Sequence, residues 1–252
     1  MSSLVSVIIP YFKKKKYIEK TIKSILNQTY KKFELIIVDD ENSKSSNNLL
    51  KKIIKKDRRI KLIFNKKNQG AGISRNIGMK IARGKFIAFC DSDDVWKKNK
   101  LQLQLKFMEK KKIKFSFTNY NIISDKERLI GLIKVKKLMT FNKLINSCDI
   151  GLSTVMIRKN ILKNNKYKFA PLKTKEDYVF WLKLAKDKIE LVGLNKTLSN
   201  WRKTENSLSS SSVQKLIDGY RVYKIYLGYG WFKSLLCLVN LSINFVIKYN
   251  RI

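Results

Sequence analysis

The chain has 252 residues, contains 55 lysine and arginine residues against 19 acidic residues, and has no histidine. Without histidine it has no Ser-His-Asp triad, no Cys-His pair and no HExxH zinc site, so acid–base chemistry must depend on Asp, Glu, Lys or Tyr. The three cysteines, Cys90, Cys148 and Cys237, are too widely spaced for a disulfide scaffold, and their number suits a reducing cytosol.

Strand and helix patterns alternate through the first half of the chain. Continuous apolar runs predict strands that are buried on both faces, and apolar residues at helical spacing predict helices between them. The predicted strands are residues 5–9, 33–38, 60–64 and 85–90, and the predicted helices are residues 17–29, 45–56, 71–82 and 97–110. This alternation predicts βαβ units and hence an α/β fold with a mostly parallel sheet between helices.

The second half has a less regular pattern. The predicted strands are residues 115–123, 155–158 and 191–201, and the predicted helices are residues 141–148 and 176–185, followed by a polar loop at 206–212 and a hydrophobic helical tail at 213–252. Pro10 and Pro171 are the only prolines, so no proline-rich linker divides the chain. We therefore expect one α/β domain over residues 1–212, with the tail after it.

Acidic residues are scarce, and two groups of them follow predicted strands. Asp39 and Asp40 follow the second strand, and Asp91, Asp93 and Asp94 follow the fourth. Because open parallel sheets bind ligands beyond the carboxyl ends of their strands, we expect both groups to face one crevice. Since carboxylates repel one another, a cation or hydrogen-bond donors should lie between the groups.

The segment Asp91-Ser92-Asp93 is the strongest metal candidate. Its hard carboxylate oxygens on a short, flexible segment suit Mg²⁺ or Mn²⁺ held jointly with a diphosphate. The alternative is that these carboxylates serve turns and helix N-termini, where aspartate is common. For Asp94, which precedes a predicted helix, capping stays open beside function.

Seven segments, in order along about 200 residues, resemble the family 2 glycosyltransferases, which have the GT-A fold. They are VSVIIPYF (5–12), SILNQTYKKFELIIVDD (24–40), GISRNIG (72–78), ARGKFIAFCDSDD (82–94), STVMIRK (153–159), KEDYVFWLKLA (175–185) and NWRKTENSLS (200–209). The tail also resembles a bacterial subgroup that builds O-antigens, capsules and teichuronic-type polymers. The resemblance implies a GT-A-like (Rossmann-like) catalytic domain over residues 1–212. Residues 1–96 would bind the nucleotide sugar, and residues 97–212 would form the acceptor and catalytic half.

The resemblance also implies where the donor binds. Pro10, Asp40 and Arg75 would hold the nucleotide, with Asp40 accepting a hydrogen bond from the base and Arg75 near the base or the diphosphate. Asp91 and Asp93 would be the DxD pair that binds Mn²⁺ or Mg²⁺, with Asp93 the more direct ligand and Ser92 between them at the diphosphate.

Two further segments would complete the site. Asp177, beside Glu176, would be the general base, while the alternative is that both acids only favour the start of a helix through its macrodipole. Trp201, Arg202 and residues 207–209 would close over the donor, with Arg202 able to clamp phosphate in fork geometry.

The tail and the net charge of +36 point to a partner surface. On a helix, Lys233, Cys237, Asn240, Asn244 and Lys248 form a polar stripe beside broadly apolar residues. Residues 231–247 reach only ~25 Å, which is short of a ~30 Å hydrocarbon core, so we expect an interfacial helix on an anionic membrane; a core helix is the alternative. The lysine excess also fits AT-rich coding and a solvated surface, and the scarcity of arginine argues against sequence-specific nucleic acid binding.

The resemblance, together with these patterns, implies metal-dependent, inverting transfer of a sugar from a nucleotide sugar to a lipid-linked glycan. Since no basic segment with an apolar core precedes the first strand, we expect no signal peptide, and hence a cytoplasmic enzyme at the inner face of the membrane. Two alternatives stay open. One is a nucleotidyltransferase, although the first loop lacks the glycines of a phosphate loop; the other is a non-catalytic protein that binds polyanions or membranes.

Overall fold

The computed structural model describes residues 3–55, 57–162, 166–204 and 211–249, with only the backbone at 248 and 249. This part of the chain contains one ten-stranded mixed sheet. Its strands are β1 (Val5–Tyr11), β2 (Phe33–Asp39), β3 (Ile60–Phe64), β4 (Phe86–Phe89), β5 (Val95–Trp96), β6 (Phe115–Ile123), β7 (Leu129–Ile133), β8 (Leu138–Met139), β9 (Met156–Arg158) and β10 (Leu191–Arg202). They lie in the order β3-β2-β1-β4-β9-β6-β10-β5, with β7 paired to β6 and β8 to β10.

Helices connect these strands and cover the sheet. In the described ranges they are α1 (Lys15–Leu26), α2 (Lys44–Ile54), α3 (Ala71–Ile81), α4 (Lys100–Lys110), α5 (Phe141–Leu144), α6 (Glu176–Lys186), α7 (Ser212–Arg221) and α8 (Trp231–Tyr249). Short 3₁₀ turns form at Leu152–Thr154 and Lys159–Leu162, and a π-helical turn forms at Val222–Tyr226.

The central strands are buried on both faces. Every residue of β1 and β2 is buried, which is why their sequences are apolar runs rather than alternating patterns. Successive side chains of β1 point to opposite faces, so Ile8 belongs to one hydrophobic core while Val7 and Ile9 belong to the other. The α/β fold predicted from the sequence is therefore confirmed.

The strands that the sequence did not predict are β5, β7 and β8. Two of them contain only two residues, too few for any periodicity to show. The third, β7, is largely exposed and pairs only with β6, so its apolar residues follow no buried pattern. These strands, with β9, give the second half of the sheet its antiparallel pairings.

Parallel pairing places the candidate residues at one edge of the sheet. β1 lies between β2 and β4 and runs parallel to both, with Pro10 opposite Val38. The carboxyl ends of these three strands therefore meet at the same edge, and both acidic groups follow them, as expected from the sequence.

The tail does not form a single helix. Gly228, with φ of 71°, and Gly230 lie between the π-helical turn and α8. Val222, Tyr223 and Leu241 are buried in the same core as the sheet, so the tail is anchored to the domain. Among the described helices, none combines the length and apolar character needed to cross a membrane.

The polar stripe expected on α8 is only partly correct. Ser234 and Leu241 are buried, and Cys237 lies half-buried on their side of the helix, whereas Asn240 and Asn244 are exposed. Asn244 Nδ2 donates a hydrogen bond to Asn146 O. Cys237 is therefore a packing residue and not part of an exposed stripe; the side chain of Lys248 lies outside the described residues.

Candidate active site

Asp39, the last residue of β2, has a structural role. Its buried carboxylate accepts hydrogen bonds from the backbone N–H groups of Glu41 and Asn42 and from Ser46 Oγ. Because these donors lie at and before the first turn of α2, Asp39 holds the beginning of that helix against the sheet.

Asp40 organises the loop between β3 and α3. Asp40 Oδ1 accepts hydrogen bonds from Asn65 Nδ2 at 2.7 Å and from Gln69 N at 2.9 Å, and Oδ2 accepts one from Gly70 N at 2.8 Å. Asn65 Nδ2 also lies 3.0 Å from Ser74 Oγ on α3. A carboxylate offers about four acceptor positions, and donors from the described residues fill three of those of Asp40. The expected contact between Asp40 and a nucleotide base remains a prediction.

Arg75 joins the two acidic motifs. Its Nη2 donates to Asp91 Oδ1 at 2.7 Å, its Nη1 donates to Glu176 Oε1 at 2.6 Å, and its side chain is only 4% exposed. Burial alone would lower the pKa of Arg75, but the charges of Asp91 and Glu176 outweigh burial and raise that pKa. Arg75 Nε is buried, and no acceptor in the described ranges lies within hydrogen-bond distance of it. Arg75 therefore fixes the turn after β4 to the start of α6.

Two hydroxyl groups hold the turn after β4. Asp91 N donates to Ser153 Oγ at 2.9 Å, and Thr21 Oγ1 donates to Ser92 O at 3.1 Å. Ser153 Oγ in turn donates to the carboxylate of Asp94, whose pKa burial raises well above its ordinary value. Asp94 is therefore a buried structural residue; it does not cap α4, which begins after Asn99.

Asp93 is paired with Lys14, which sequence analysis did not single out. Lys14 Nζ lies 2.8 Å from Asp93 Oδ2, with the two side chains 18% and 14% exposed, and it also donates to Thr204 Oγ1 at 3.1 Å. Burial and the neighbouring Asp91 raise the pKa of Asp93, and the positive charge of Lys14 opposes that rise. Lys14 thus neutralises the carboxylate that we expected to bind metal most directly.

The carboxylate oxygens of Asp91 and Asp93 are hard ligands of the kind that Mg²⁺ and Mn²⁺ prefer. Magnesium sites in nucleotide enzymes usually combine one or two carboxylates with substrate phosphates. Within the described residues no three acidic or cysteine side chains converge closely enough to hold an ion alone. A cation here would need phosphate oxygens from the donor, and it would compete with the ion pair between Lys14 and Asp93.

Arg202 is held by acceptors of the protein itself. Its side chain is buried, its Nε donates to Asp93 O at 2.9 Å, its Nη2 donates to Glu127 Oε1 at 2.8 Å, and its Nη1 donates to Asp125 O at 3.2 Å. Its backbone N–H donates to Asp94 Oδ1 at 2.9 Å. Protein acceptors therefore occupy the fork in this structure, where Arg202 holds the turn after β4 against the loop between β6 and β7, and the expected phosphate clamp remains a prediction.

Asp177 lies in the first turn of α6, next to Glu176. Its Oδ1 accepts a hydrogen bond from Tyr178 N at 2.7 Å, and its side chain remains partly exposed. Burial, followed by the negative charge of Glu176, raises the pKa of Asp177 to about 7. A carboxylate with this pKa suits a general base that works near neutral pH.

The structure thus brings Asp91, Glu176 and Asp177 together around Arg75, with Asp93 on the adjoining turn. Pro10 lies near the carboxyl end of β1, at the same edge of the sheet. The expected closing-loop residues 207–209 lie outside the described residues. Two further residues of the site were not predicted: Ser153, which lies in the segment STVMIRK, and Lys14, which no pattern distinguishes from the many other lysines.

The chain is similar to known proteins over nearly its whole length. The family model for Glycosyl transferase family 2 matches residues 6–165. The chain is 34% identical over 246 residues to the putative teichuronic acid biosynthesis glycosyltransferase TuaG of Bacillus subtilis (strain 168), covering 97% of each protein. It is 38% identical to the UDP-Glc:alpha-D-GlcNAc-diphosphoundecaprenol beta-1,3-glucosyltransferase WfgD of Escherichia coli, over 84% of this chain and 82% of that protein. WfaP of Escherichia coli, which bears the same activity name, is 35% identical over 98% of this chain and 95% of its own.

Solved structures match with similar coverage. The crystal structure of S. aureus TarS 1-349 in complex with UDP-GlcNAc matches with a TM-score of 0.74 and 24% identity, over 94% of this chain and 71% of that one. The mannosyltransferase PcManGT from Pyrobaculum calidifontis, in complex with GDP-Man and Mn²⁺, matches with a TM-score of 0.70 and 12% identity, over 96% of this chain and 74% of that one. At these identities the similarity concerns the fold alone.

Proposed function

The chain belongs to the family 2 glycosyltransferases, and we propose that it transfers a sugar from a nucleoside diphosphate sugar to a hydroxyl group of a lipid-linked glycan, with inversion at the anomeric carbon. The family and the GT-A fold confirm what the seven segments predicted from the sequence. The proposal adds the cation dependence, the stereochemistry, the acceptor and the roles of individual residues.

The proposed residue roles rest on one observation. Arg75 binds Asp91 of the DxD motif and Glu176 of the Glu176-Asp177 pair, and so holds the two acidic motifs side by side. A donor whose diphosphate lies at Asp91 and Asp93 then has its sugar beside the beginning of α6. Structural acids at helix N-termini are common, but they need no shared arginine. The shared arginine therefore favours a catalytic role for Asp177.

In this reaction Asp177 acts on the acceptor hydroxyl. Its carboxylate takes the hydroxyl proton as the oxygen forms a bond to the anomeric carbon. The bond between that carbon and the phosphate oxygen breaks, and the nucleoside diphosphate leaves with the electron pair. When bound at Asp91 and Asp93, a divalent cation shields the negative charge of the diphosphate. Glu176 is held by Arg75 and adds to the negative charge that raises the pKa of Asp177.

The relatives support a UDP-sugar donor and a lipid diphosphate acceptor. WfgD and WfaP are named for transfer from UDP-Glc to alpha-D-GlcNAc-diphosphoundecaprenol, and TarS was solved with UDP-GlcNAc. A β-linked product formed from an α-linked UDP-glucose requires inversion, which agrees with a single displacement assisted by one base. For this chain we propose a UDP-hexose donor and a glycan on a lipid diphosphate carrier.

Transfer assays test the proposed function directly. We expect the purified chain, supplied with UDP-Glc, MnCl₂ and a synthetic GlcNAc-diphospholipid, to release UDP and to add one hexose to the lipid in a mass spectrum. Parallel reactions with GDP-, dTDP- and CDP-sugars identify the nucleotide. Release of pyrophosphate from a nucleoside triphosphate would instead indicate a nucleotidyltransferase, and the absence of turnover with every donor would contradict the proposal.

The tail supports a location at the membrane surface. Exposed apolar side chains on α8 include Trp231, Phe232, Leu236, Val239 and Ile243, with Trp231 67% exposed. Placed at 100° per residue, Phe232, Leu236, Val239 and Ile243 lie on the side of the helix opposite to the buried residues, and Trp231 lies at the edge of that side. A lipid-linked acceptor lies in a membrane, and such a face suits insertion at the boundary between headgroups and acyl chains.

The positive charge of the tail indicates that this face fits an anionic bilayer. Residues 213–252 contain a single acidic residue, Asp218, and it is completely buried. The surface of the tail therefore presents apolar and basic side chains, among them Lys224 and Lys233. Each basic residue near an anionic surface contributes about 1 kcal/mol. We propose that the enzyme lies on the cytoplasmic face of the cell membrane through this surface.

Glutamine at Leu236, Val239 and Ile243 should weaken binding to vesicles of anionic lipid at least tenfold. All three side chains are about half-exposed, so the triple variant removes apolar contact with lipid, worth roughly 25 cal/mol per Å², without opening the core. Flotation with liposomes containing phosphatidylglycerol measures the effect. Salt should weaken but not abolish binding of the wild type, since it screens only the charges.

A matched control is available on β7. Leu129, Ile130 and Leu132 are exposed apolar residues far along the chain from the tail, and replacing them with glutamine should leave flotation unchanged. Deleting α8 is a poorer test, because Leu241 is part of the core. If the α8 triple variant floats as well as the wild type, the membrane contact lies elsewhere.

A further inference from the structure

The beginning of α6, where the Glu176-Asp177 pair lies, has no side-chain cap. The residue before α6, Lys175, has a left-handed conformation with φ of 65°, and its side chain makes no capping hydrogen bond. Arg75 holds Glu176 from one side, and further support for the first turn comes from contacts that the tail makes with residues on either side of the pair.

The tail holds Thr174, which lies two residues before Glu176. Thr174 N donates to Asp218 Oδ2 at 3.0 Å, and Thr174 Oγ1 donates to the same oxygen at 3.1 Å. Gln214 Nε2 donates to it at 2.9 Å, and Asp218 is completely buried on α7. A buried carboxylate with one oxygen that accepts three hydrogen bonds is a strong anchor, because charge-assisted hydrogen bonds are about twice as strong as neutral ones.

The tail also holds the residue after the pair. The hydroxyl of Tyr178 lies 3.2 Å from that of Tyr223, which is in the π-helical turn. Tyr223 OH donates to Ile145 O at 2.7 Å, and Tyr178 OH donates to Leu144 O at 2.5 Å. Tyr178 and Tyr223 are both completely buried. Contacts from the tail thus reach Thr174 and Tyr178, which flank the acidic pair.

From this arrangement we infer that Asp218 is a positioning residue for the general base, acting through Thr174, and that Tyr223 supports the same turn through Tyr178. The inference rests on the proposed function, in which Asp177 takes the acceptor proton. It gives Asp218 and Tyr223, both in the tail, a part in holding the site in place, whereas the sequence suggested a tail outside the catalytic domain. Asp218 touches neither donor nor acceptor, so its loss should affect turnover and not donor binding.

The test compares Asp218→Ala with Asp218→Asn. Alanine removes the acceptor for Thr174, whereas asparagine loses the charge but keeps an oxygen that can accept from Thr174 N. We expect kcat of the alanine variant to fall at least tenfold, with its Kd for UDP-glucose within twofold of wild type, and the asparagine variant to keep kcat within threefold of wild type. Arg221→Met is the matched control: Arg221 contacts only the other oxygen of Asp218, at 3.2 Å, and kcat should be unchanged.

A double-mutant cycle separates positioning from general weakening of the fold. Thr174→Val removes the hydroxyl donor and should lower kcat at least threefold without changing the Kd for UDP-glucose. Combined with Asp218→Ala it should cause little further loss, because both variants break the same contact. Thermal melting identifies variants that fail to fold; if Asp218→Ala does not fold, Thr174→Val decides the question.

Several outcomes would overturn the inference. Wild-type kcat in folded Asp218→Ala, or in Thr174→Val, would show that the contact does not position the base. Equal losses in Asp218→Ala and Asp218→Asn would show that the charge matters and the hydrogen bond to Thr174 does not. Wild-type turnover in Asp177→Asn would instead remove the general base from the proposed function, which is a different failure.

Discussion

Replacing Asp177 with asparagine should lower kcat by about 10²–10⁴-fold, the usual contribution of a positioned base, while donor binding survives. Asparagine keeps the shape of the side chain and the hydrogen bond from Tyr178 N but cannot take a proton. Steady-state assays with UDP-glucose, together with calorimetric titration of the donor, separate the two effects. A variant within threefold of the wild type would show that another group takes the proton.

The pH profile provides an independent check on the same residue. Burial and the charge of Glu176 raise the pKa of Asp177 to about 7, so the ionised base accumulates as pH rises through that value. We expect kcat/KM of the wild type to rise with pH through about 7 and then level off. A profile that is flat between pH 5.5 and 8 would contradict the assignment.

The thermal stability of Asp177→Asn shows whether a loss of activity comes from the missing base or from a damaged fold. Since the folded pKa of Asp177 is raised, the folded protein binds a proton more tightly than the unfolded chain, so the aspartate costs stability increasingly as pH rises above its unfolded pKa, and the cost is complete above about pH 7. Asparagine removes this cost, so the variant should melt at no lower temperature than the wild type at pH 8. Asp187→Asn, at the exposed end of α6, is a matched control that should keep full activity.

Asp93→Ala should abolish the metal-dependent part of donor binding and, with it, turnover. The substitution removes one of the two carboxylates proposed to share a cation with the diphosphate, and carboxylates in such sites are few. Titration of Mn²⁺ into the protein, with and without UDP, measures the loss calorimetrically. Unchanged affinity for Mn²⁺ in the presence of UDP would exclude Asp93 as a ligand.

Lys14→Met tests the same site in the opposite direction. In the structure Lys14 is the cation at Asp93, at 2.8 Å, so a metal must displace it. Methionine preserves the apolar stem but not the charge, and we expect Mn²⁺ to bind severalfold more tightly in this variant, with or without UDP. Weaker Mn²⁺ binding would show that Lys14 supports the cation instead of competing with it.

The sequence predicted those features that depend on local patterns. Apolar runs marked β1 and β2 because a strand covered on both faces must be apolar throughout. Parallel pairing then required Asp39, Asp40 and the Asp91-Ser92-Asp93 segment to lie at one edge of the sheet. The sequence did not predict β5 and β8, because a strand of two residues is too short to show a hydrophobic periodicity.

By itself, therefore, the sequence determined the α/β fold, the edge at which the site forms and the acidic residues that were candidates for it, since periodicity and strand order are local properties. Only the tertiary structure decided which charges meet. Arg75 contacts Glu176, 101 positions away, and Asp218 contacts Thr174 across the interface between the tail and the domain. It also placed Arg202 against the turn after β4 and Lys14 at Asp93. Such pairs depend on how separately formed elements pack, and no local pattern distinguishes the cation that reaches a carboxylate from the many that face solvent.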